Sequence, residues 1–191
     1  VGSLPELKYP KEGRKPFSLI TASRLASEKH VDWICKAVIQ ARSEVPEVSL
    51  DIYGVGGERD KLETIIRDNN ASDYIHLMGQ HDLSEVYQNY EAYIAGSTSE
   101  GFGLTLMEAV GGGLPIIGFD VRYGNPTFIR DGENGYLISL PEEDKDKIEA
   151  LRKGIVDLFK QDLGKCHEVS YEVAKDFLTS NVQEKWREAV C

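Results

Sequence analysis

Glu100 and Glu108 stand eight residues apart, with Gly101, Gly103 and the start of an apolar helix-forming run between them. A carboxylate accepts hydrogen bonds from a pair of vicinal hydroxyls, so one glutamate suits a ribose diol and the other the hydroxyls of a sugar. Glycine lets a backbone approach a ligand with no Cβ in the way. The helix that begins near Leu104 offers unpaired N–H groups and a positive dipole end to an anion such as phosphate. Helical spacing puts Glu108 one turn further in, on the side of Leu104, while Glu100 stays in the preceding loop. Taken alone, two glutamates at this spacing would read as solvated charges; their surroundings give them weight.

Those surroundings are strands that run into helices. Residues 92–95 (Ala-Tyr-Ile-Ala) read as a short buried strand, so the two glycines fall at a strand-to-helix turn, where ligands sit in α/β sheets. Residues 17–22 form a first strand whose unbroken apolar character suits burial on both faces of a parallel sheet. It runs into Ser23-Arg24-Leu25 and Lys29, and Val31, Ile34, Val38 and Ala41 then mark a helix by their spacing. Arg24 and Lys29 flank the mouth of that loop, where two cations can neutralise a diphosphate through charge-assisted bonds of about 1.5 to 3 kcal/mol each. Residues 48–53 form a second strand ending in Gly54-Val55-Gly56-Gly57, which resembles a phosphate turn without the full dinucleotide fingerprint; a simple turn and a donor contact both remain open there. A helix over 61–70, a strand over 75–79, a short helix over 83–89, a buried strand after Gly111-Gly112-Gly113, a loop over 122–126 and a strand ending at Ile138 complete the alternation. His76 alternates with apolar neighbours and reads as a packed histidine. The pattern predicts an α/β, Rossmann-like open parallel sheet of about six strands with helices on both faces. Right-handed crossovers then bring Arg24, Lys29, the 54–57 turn and residues 100–105 to one edge. Residues 141–191 read as helices.

At 191 residues the chain can bury about 70% of its unfolded surface, enough for a proper core. A formal charge of −10 argues against a nucleic-acid partner, since such binders display clustered Lys and Arg, but leaves room for a small anion in a pocket. No 20-residue apolar span and no signal peptide are visible. Cys35, Cys166 and Cys191 form no metal- or redox-type pair, which points to reduced thiols and a cytoplasmic protein, with a peripheral position at the inner face of the cell membrane left open. The start at Val1-Gly2-Ser3 suggests a removed tag or a piece of a longer protein.

Ser23-Arg24-Leu25 with Lys29, Tyr53-Gly54-x-Gly56, the 100–108 stretch and Asp131-Gly132-x-Asn134-Gly135-Tyr136-Leu137 resemble the C-terminal half of a retaining GT-B glycosyltransferase of the glycosyl-group-one family. The resemblance covers nearly the whole chain. Residues 15–24, 28–33 and 118–125 are most similar to one subgroup, the bacterial N-acetylglucosaminyltransferases that initiate O-glycosylation of serine-rich repeat adhesins exported by an accessory Sec system. Poly(glycerol-phosphate) alpha-glucosyltransferases, which use UDP-glucose, share the Tyr-Gly loop and match less well elsewhere.

The resemblance implies that Arg24 and Lys29 hold a nucleotide diphosphate, that Glu108 binds the ribose and that Glu100 contacts the donor sugar, making Arg24, Lys29 and Glu100 the catalytic set. Phe102, Gly103, Leu104 and Thr105 would cradle the donor, Gly54 would lie beside it, and Met78 and Gly79 would lie against the base. No metal and no cofactor beyond the UDP-sugar substrate, such as UDP-GlcNAc, is implied. Implied partners are a serine-rich protein acceptor and a related noncatalytic glycosyltransferase-like subunit. The corresponding domains are a junction at 1–16, a donor-binding domain at 17–168 and, at 169–191, helices that would pack toward an N-terminal domain outside this sequence. The fragment alone is expected to bind donor without transferring sugar. Rival readings are a non-enzymatic sugar-nucleotide-binding module and a nucleotide-sugar epimerase, the latter needing acid/base residues that this half does not supply.

Overall fold

A computed structural model describes residues 2–99 and 103–190; Glu100, Gly101 and Phe102 lie outside the described residues. Six strands, β1 (Ser18–Ala22), β2 (Ser49–Tyr53), β3 (Ile75–Gly79), β4 (Ala92–Ile94), β5 (Ile116–Phe119) and β6 (Gly135–Ile138), form one sheet in the order β3-β2-β1-β4-β5-β6. Every pairing is parallel. Chain order runs outward from β1 to β3, then returns to build β4 to β6 on the other side. The crevice beyond the carboxyl ends of β1 and β4 is therefore the switch point at which such sheets take ligands.

Alternating side chains along each strand feed opposite layers. Leu19, Leu50, Ile52, Ile94 and Ile117 join the core under α1 (Val31–Ala41), α2 (Arg59–Asp68) and α5 (Asp144–Phe159), whereas Ile20, Tyr53, Tyr93 and Ile116 join the other, under α3 (Leu104–Gly111) and α6 (Leu163–Lys175). Double burial explains the largely apolar strands, and all five residues of β1 are buried, Ser18 and Thr21 included. Cys35 lies in the first of these cores, where burial pushes its thiol pKa up to about 12, so it is an inert packing residue.

Two local expectations need correction. Residues 83–89 do not form an α-helix: Leu83, Val86 and Tyr87 have helical spacing, but the segment closes only three-residue bonds, Val86 N–H to Leu83 at 3.0 Å and Asn89 N–H to Val86 at 3.1 Å, ending as a single 3₁₀ turn at Tyr87–Asn89. Tyr90 is already extended to enter β4, leaving no length to repay helix nucleation. Residues 122–126 are not all loop, because α4 spans Gly124–Phe128. Its Pro126 sits in the first turn, where its missing N–H costs nothing.

The stretch at residues 4–16 lies against the domain. Leu4 is buried and pairs with the connection that follows α6, its N–H donating to Phe177 at 2.7 Å and its carbonyl accepting from Thr179 at 2.8 Å. The Arg14 guanidinium donates to the carbonyls of Gln88 (2.9 Å), Tyr90 (3.2 Å) and Gly112 (2.9 Å), pinning that stretch beneath β4 and α3. The last helix, α7 (Thr179–Val190), buries none of its residues and leaves Trp186 and Val190 exposed. Among the described residues no helix is long and apolar enough to cross a membrane.

Candidate functional site

The ladder between β1 and β2 continues past both strands. Ser23 N–H donates to Tyr53 at 3.1 Å and Leu25 N–H to Val55 at 2.9 Å, so the two loops leave the sheet side by side. Glycine makes this approach possible: at Gly54, where φ is +130°, an added Cβ would sit 1.8 Å from the Ser23 carbonyl oxygen. Arg24 projects from the first loop, exposed and ion-paired with Glu28 at 3.2 Å.

Lys29 follows on a 3₁₀ turn at Ser27–Lys29. Across from it, the chain leaves β4 through Gly96 and Ser97, and Gly103 precedes α3 in the left-handed conformation, with φ +79° and ψ +56°. Gly103 at the N-cap offers no side chain to the first turn of α3, and a helix N-terminus suits an anion. Between these elements lies a cavity of about 430 Å³ lined by, among others, Arg24, Lys29, Tyr93, Gly103, Leu104 and Thr105. Tyr93 fixes its floor by donating its hydroxyl proton to the Ala22 carbonyl at 2.9 Å.

Two further cavities adjoin through Thr105, which lines all three. One, of about 220 Å³, is walled by Arg24, Tyr53, Gly54 and His81. The other, of about 510 Å³, contains Glu108 with His81, Asp82, Tyr87 and Lys8. Desolvation raises the Glu108 pKa, and the Asp82 carboxylate adds to the rise. The three spaces trace a bent cleft across the carboxyl edge of β1, β2 and β4, cationic at one end and carrying a carboxylate at the other. A cation-lined compartment beside an uncapped helix can neutralise phosphates, and the carboxylate can accept hydroxyl protons.

Arg24, Lys29, Gly54, Gly103, Leu104, Thr105 and Glu108 are thus gathered on this cleft. Glu100 and Phe102 fall outside the described residues. Met78 and Gly79 line none of the three cavities. The Gly79 carbonyl accepts from Gly54 N–H at 2.8 Å, and the Met78 carbonyl lies 2.8 Å from His81 Nε2, so both adjoin residues of the wall. His76 also lies off the cleft, with Nδ1 2.8 Å from Asp51 and its side chain 38% exposed, so it is paired with that carboxylate at the sheet's edge rather than packed in the core.

Sequence reasoning missed His81, which faces two of the cavities and is held edge-on to the Tyr53 ring at 5.6 Å. Its only signal was a position just past a strand's carboxyl end. It also missed the buried Asp51, which accepts from the Tyr90 hydroxyl at 2.5 Å while Tyr90 and Tyr53 hydroxyls lie 3.1 Å apart, bracing the Tyr53 wall from behind. Among the described residues no group of three or more His, Cys, Asp or Glu is placed to hold a metal ion.

Known proteins share this arrangement. The UDP-N-acetylglucosamine–peptide N-acetylglucosaminyltransferase GtfA subunit of Streptococcus gordonii is 56% identical over 191 residues, covering 97% of this chain and 37% of that protein. The crystal structure of the pneumococcal O-GlcNAc transferase GtfA in complex with UDP and GlcNAc superposes with a TM-score of 0.94 at 53% identity, over 99% of this chain and 38% of that one. A crystal structure of a GtfA/B complex gives a TM-score of 0.92 at 55% identity, over 98% of this chain and 38% of that one. The chain therefore spans well under half the length of these relatives. Residues 7–176 match the family described as glycosyl transferases group 1, and the chain belongs to that family, as a Rossmann-like half of the GT-B fold.

Proposed function

We propose that this chain is the UDP-sugar-binding half of a retaining glycosyltransferase that transfers N-acetylglucosamine from UDP-N-acetylglucosamine to serine or threonine of a serine-rich adhesin. One observation carries the reading most. Arg24, Lys29 and the open N-terminus of α3 face a single cavity, and Glu108 stands one helical turn away in the adjoining one. The names of the relatives supply the sugar and the peptide acceptor.

In this reading Glu108 accepts the ribose hydroxyls, while Arg24, Lys29 and the α3 amides receive the diphosphate. As the anomeric bond breaks, negative charge accumulates on the departing UDP. Cations and amides already in place stabilise it without reorganisation, so no metal is required for that step. The acceptor hydroxyl attacks from the face that the leaving group vacates and passes its proton to the departing phosphate oxygen, with Glu100 beside the donor sugar. Acceptor-side residues come from the portion of the relatives that this chain does not span, so the chain alone binds donor and transfers nothing. A second, noncatalytic subunit completes the assembly, by likeness to the GtfA/B complex. The reaction draws on UDP-sugars and is placed in the cytoplasm, including the inner face of the membrane.

The test is transfer from labelled UDP-N-acetylglucosamine and UDP-glucose to a serine-rich peptide, using a protein that carries this segment joined to the remaining length of its relatives. N-acetylglucosamine transfer that Lys29→Ala cuts sharply is expected. Preferential transfer of glucose would move the reading to the glucosyltransferases of teichoic-acid synthesis. Binding without any transfer would favour a sugar-nucleotide-binding module.

A further inference from the structure

Three non-glycine residues among those described have positive φ: Phe17, His30 and Asn70. Only His30 adjoins the cleft, directly after Lys29. At φ +47° and ψ +43° it closes the 3₁₀ turn, its N–H donating to Ser27 at 3.2 Å and its carbonyl accepting from Trp33 at 3.1 Å. A side chain in this conformation is disfavoured unless its surroundings fix it.

Here the surroundings are specific. The imidazole lies flat on the Trp33 indole, with centroids 3.6 Å apart and planes 5° from parallel. Trp33 is itself buried in the core, edge-on to Phe119. From the other side Gly96 presses on the same turn: a Cβ there would lie 2.7 Å from the His30 carbonyl oxygen and 3.1 Å from that of Lys29. The backbone carrying Lys29 is thus clamped between a ring stack and a glycine.

The geometry points to His30 as a positioning residue whose stack on Trp33 fixes the turn that presents Lys29 to the diphosphate. This rests on the donor-site reading above. His30 touches no donor atom in this account and acts through Lys29 alone. The left-handed turn by itself would be served as well by glycine, so the ring is what distinguishes the role.

The experiment measures the affinity of the chain for UDP and for uridine in wild type, His30→Gly, Lys29→Ala and the double variant. Glycine adopts positive φ freely, so His30→Gly keeps the turn accessible while deleting the stack. Loss of a ring stack, with the added freedom of glycine, should weaken UDP binding about tenfold. Uridine, which carries no phosphate, should bind as in wild type. In the Lys29→Ala background the His30 substitution should change nothing further. UDP affinity unchanged in His30→Gly, an equal loss for uridine, or full additivity with Lys29→Ala would each overturn the assignment. Wild type that binds no UDP at all would instead overturn the donor-site reading on which it rests.

Discussion

Replacing Gly54 by alanine tests whether the cleft is built by close approach of two backbone loops. The new Cβ would fall 1.8 Å from the Ser23 carbonyl oxygen, and φ is +130°. An L-residue in so sparsely populated a region costs about 1 to 3 kcal/mol, and an overlap with backbone that forces a shift adds about 1 to 3 kcal/mol. The sum is about 2 to 6 kcal/mol. With a urea dependence of about 2 kcal/mol per molar, the unfolding midpoint should drop by about 1 to 3 M. Gly79→Ala is the matched control, since φ is +76° but nothing lies within 4 Å of its added Cβ. It should lose only the conformational cost, about 1 to 2 kcal/mol. Urea unfolding followed by circular dichroism reads both variants. UDP affinity should fall with Gly54→Ala, because the overlap separates Arg24 from the wall it shares with Tyr53. A Gly54→Ala midpoint no lower than that of Gly79→Ala would refute this account of the loops.

Substitutions at three further positions probe the site and its support. If Glu108 accepts from the ribose diol, Glu108→Ala should weaken UDP binding about tenfold or more and bind 2′-deoxy-UDP nearly as well as UDP, whereas wild type separates the two; equal discrimination in both proteins would remove Glu108 from the ribose. Because desolvation raises the Glu108 pKa, acidification should weaken UDP binding sooner in wild type than in Glu108→Gln, as titration across mildly acidic pH would show. His81→Ala should weaken UDP and uridine in parallel, since His81 walls the two cavities on the nucleoside side; loss confined to UDP would place it at the phosphates. Burial holds His167 well below its ordinary value, at about 4 against 6.5, so the unfolded chain takes up the proton first as pH falls. Stability is therefore complete above about 6.5 and lost between there and about 4, by about 1 to 2 kcal/mol from pH 7 to pH 5. Denaturation of His167→Gln beside wild type should show that extra acid sensitivity in wild type only.

The sheet was legible because burial on both faces writes itself as apolar runs such as Ile116–Phe119, and the cleft was legible because Gly54 and Gly103 sit in the loops that follow strand ends. What was not legible depends on tertiary partners. Tyr87 and Tyr90 fit a helical stripe, yet the need to reach β4 cuts the helix to one turn. Gly124 and Pro126 look like loop residues, yet α4 tolerates both in its first turn while Asn125 donates to the Phe119 carbonyl at 2.8 Å to anchor it. Met78 and Gly79 carry no sequence signal for what their carbonyls do, which is to hold Gly54 and His81 at the edge of the cleft. Asp51 reads as an interruption of β2. Only the fold reveals its partners, His76 on β3 and Tyr90 before β4.

The central claim is that the cleft is a UDP-sugar site whose diphosphate compartment is built by Lys29, Arg24 and the start of α3. Calorimetric titration of the chain with UDP-N-acetylglucosamine, UDP and uridine, in wild type and Lys29→Ala, tests it most directly. Saturable binding of UDP and of the UDP-sugar is expected, with a loss of about tenfold or more for both in Lys29→Ala and unchanged uridine binding. UDP binding that is indifferent to Lys29, or no binding of any of the three at millimolar concentration, would contradict it.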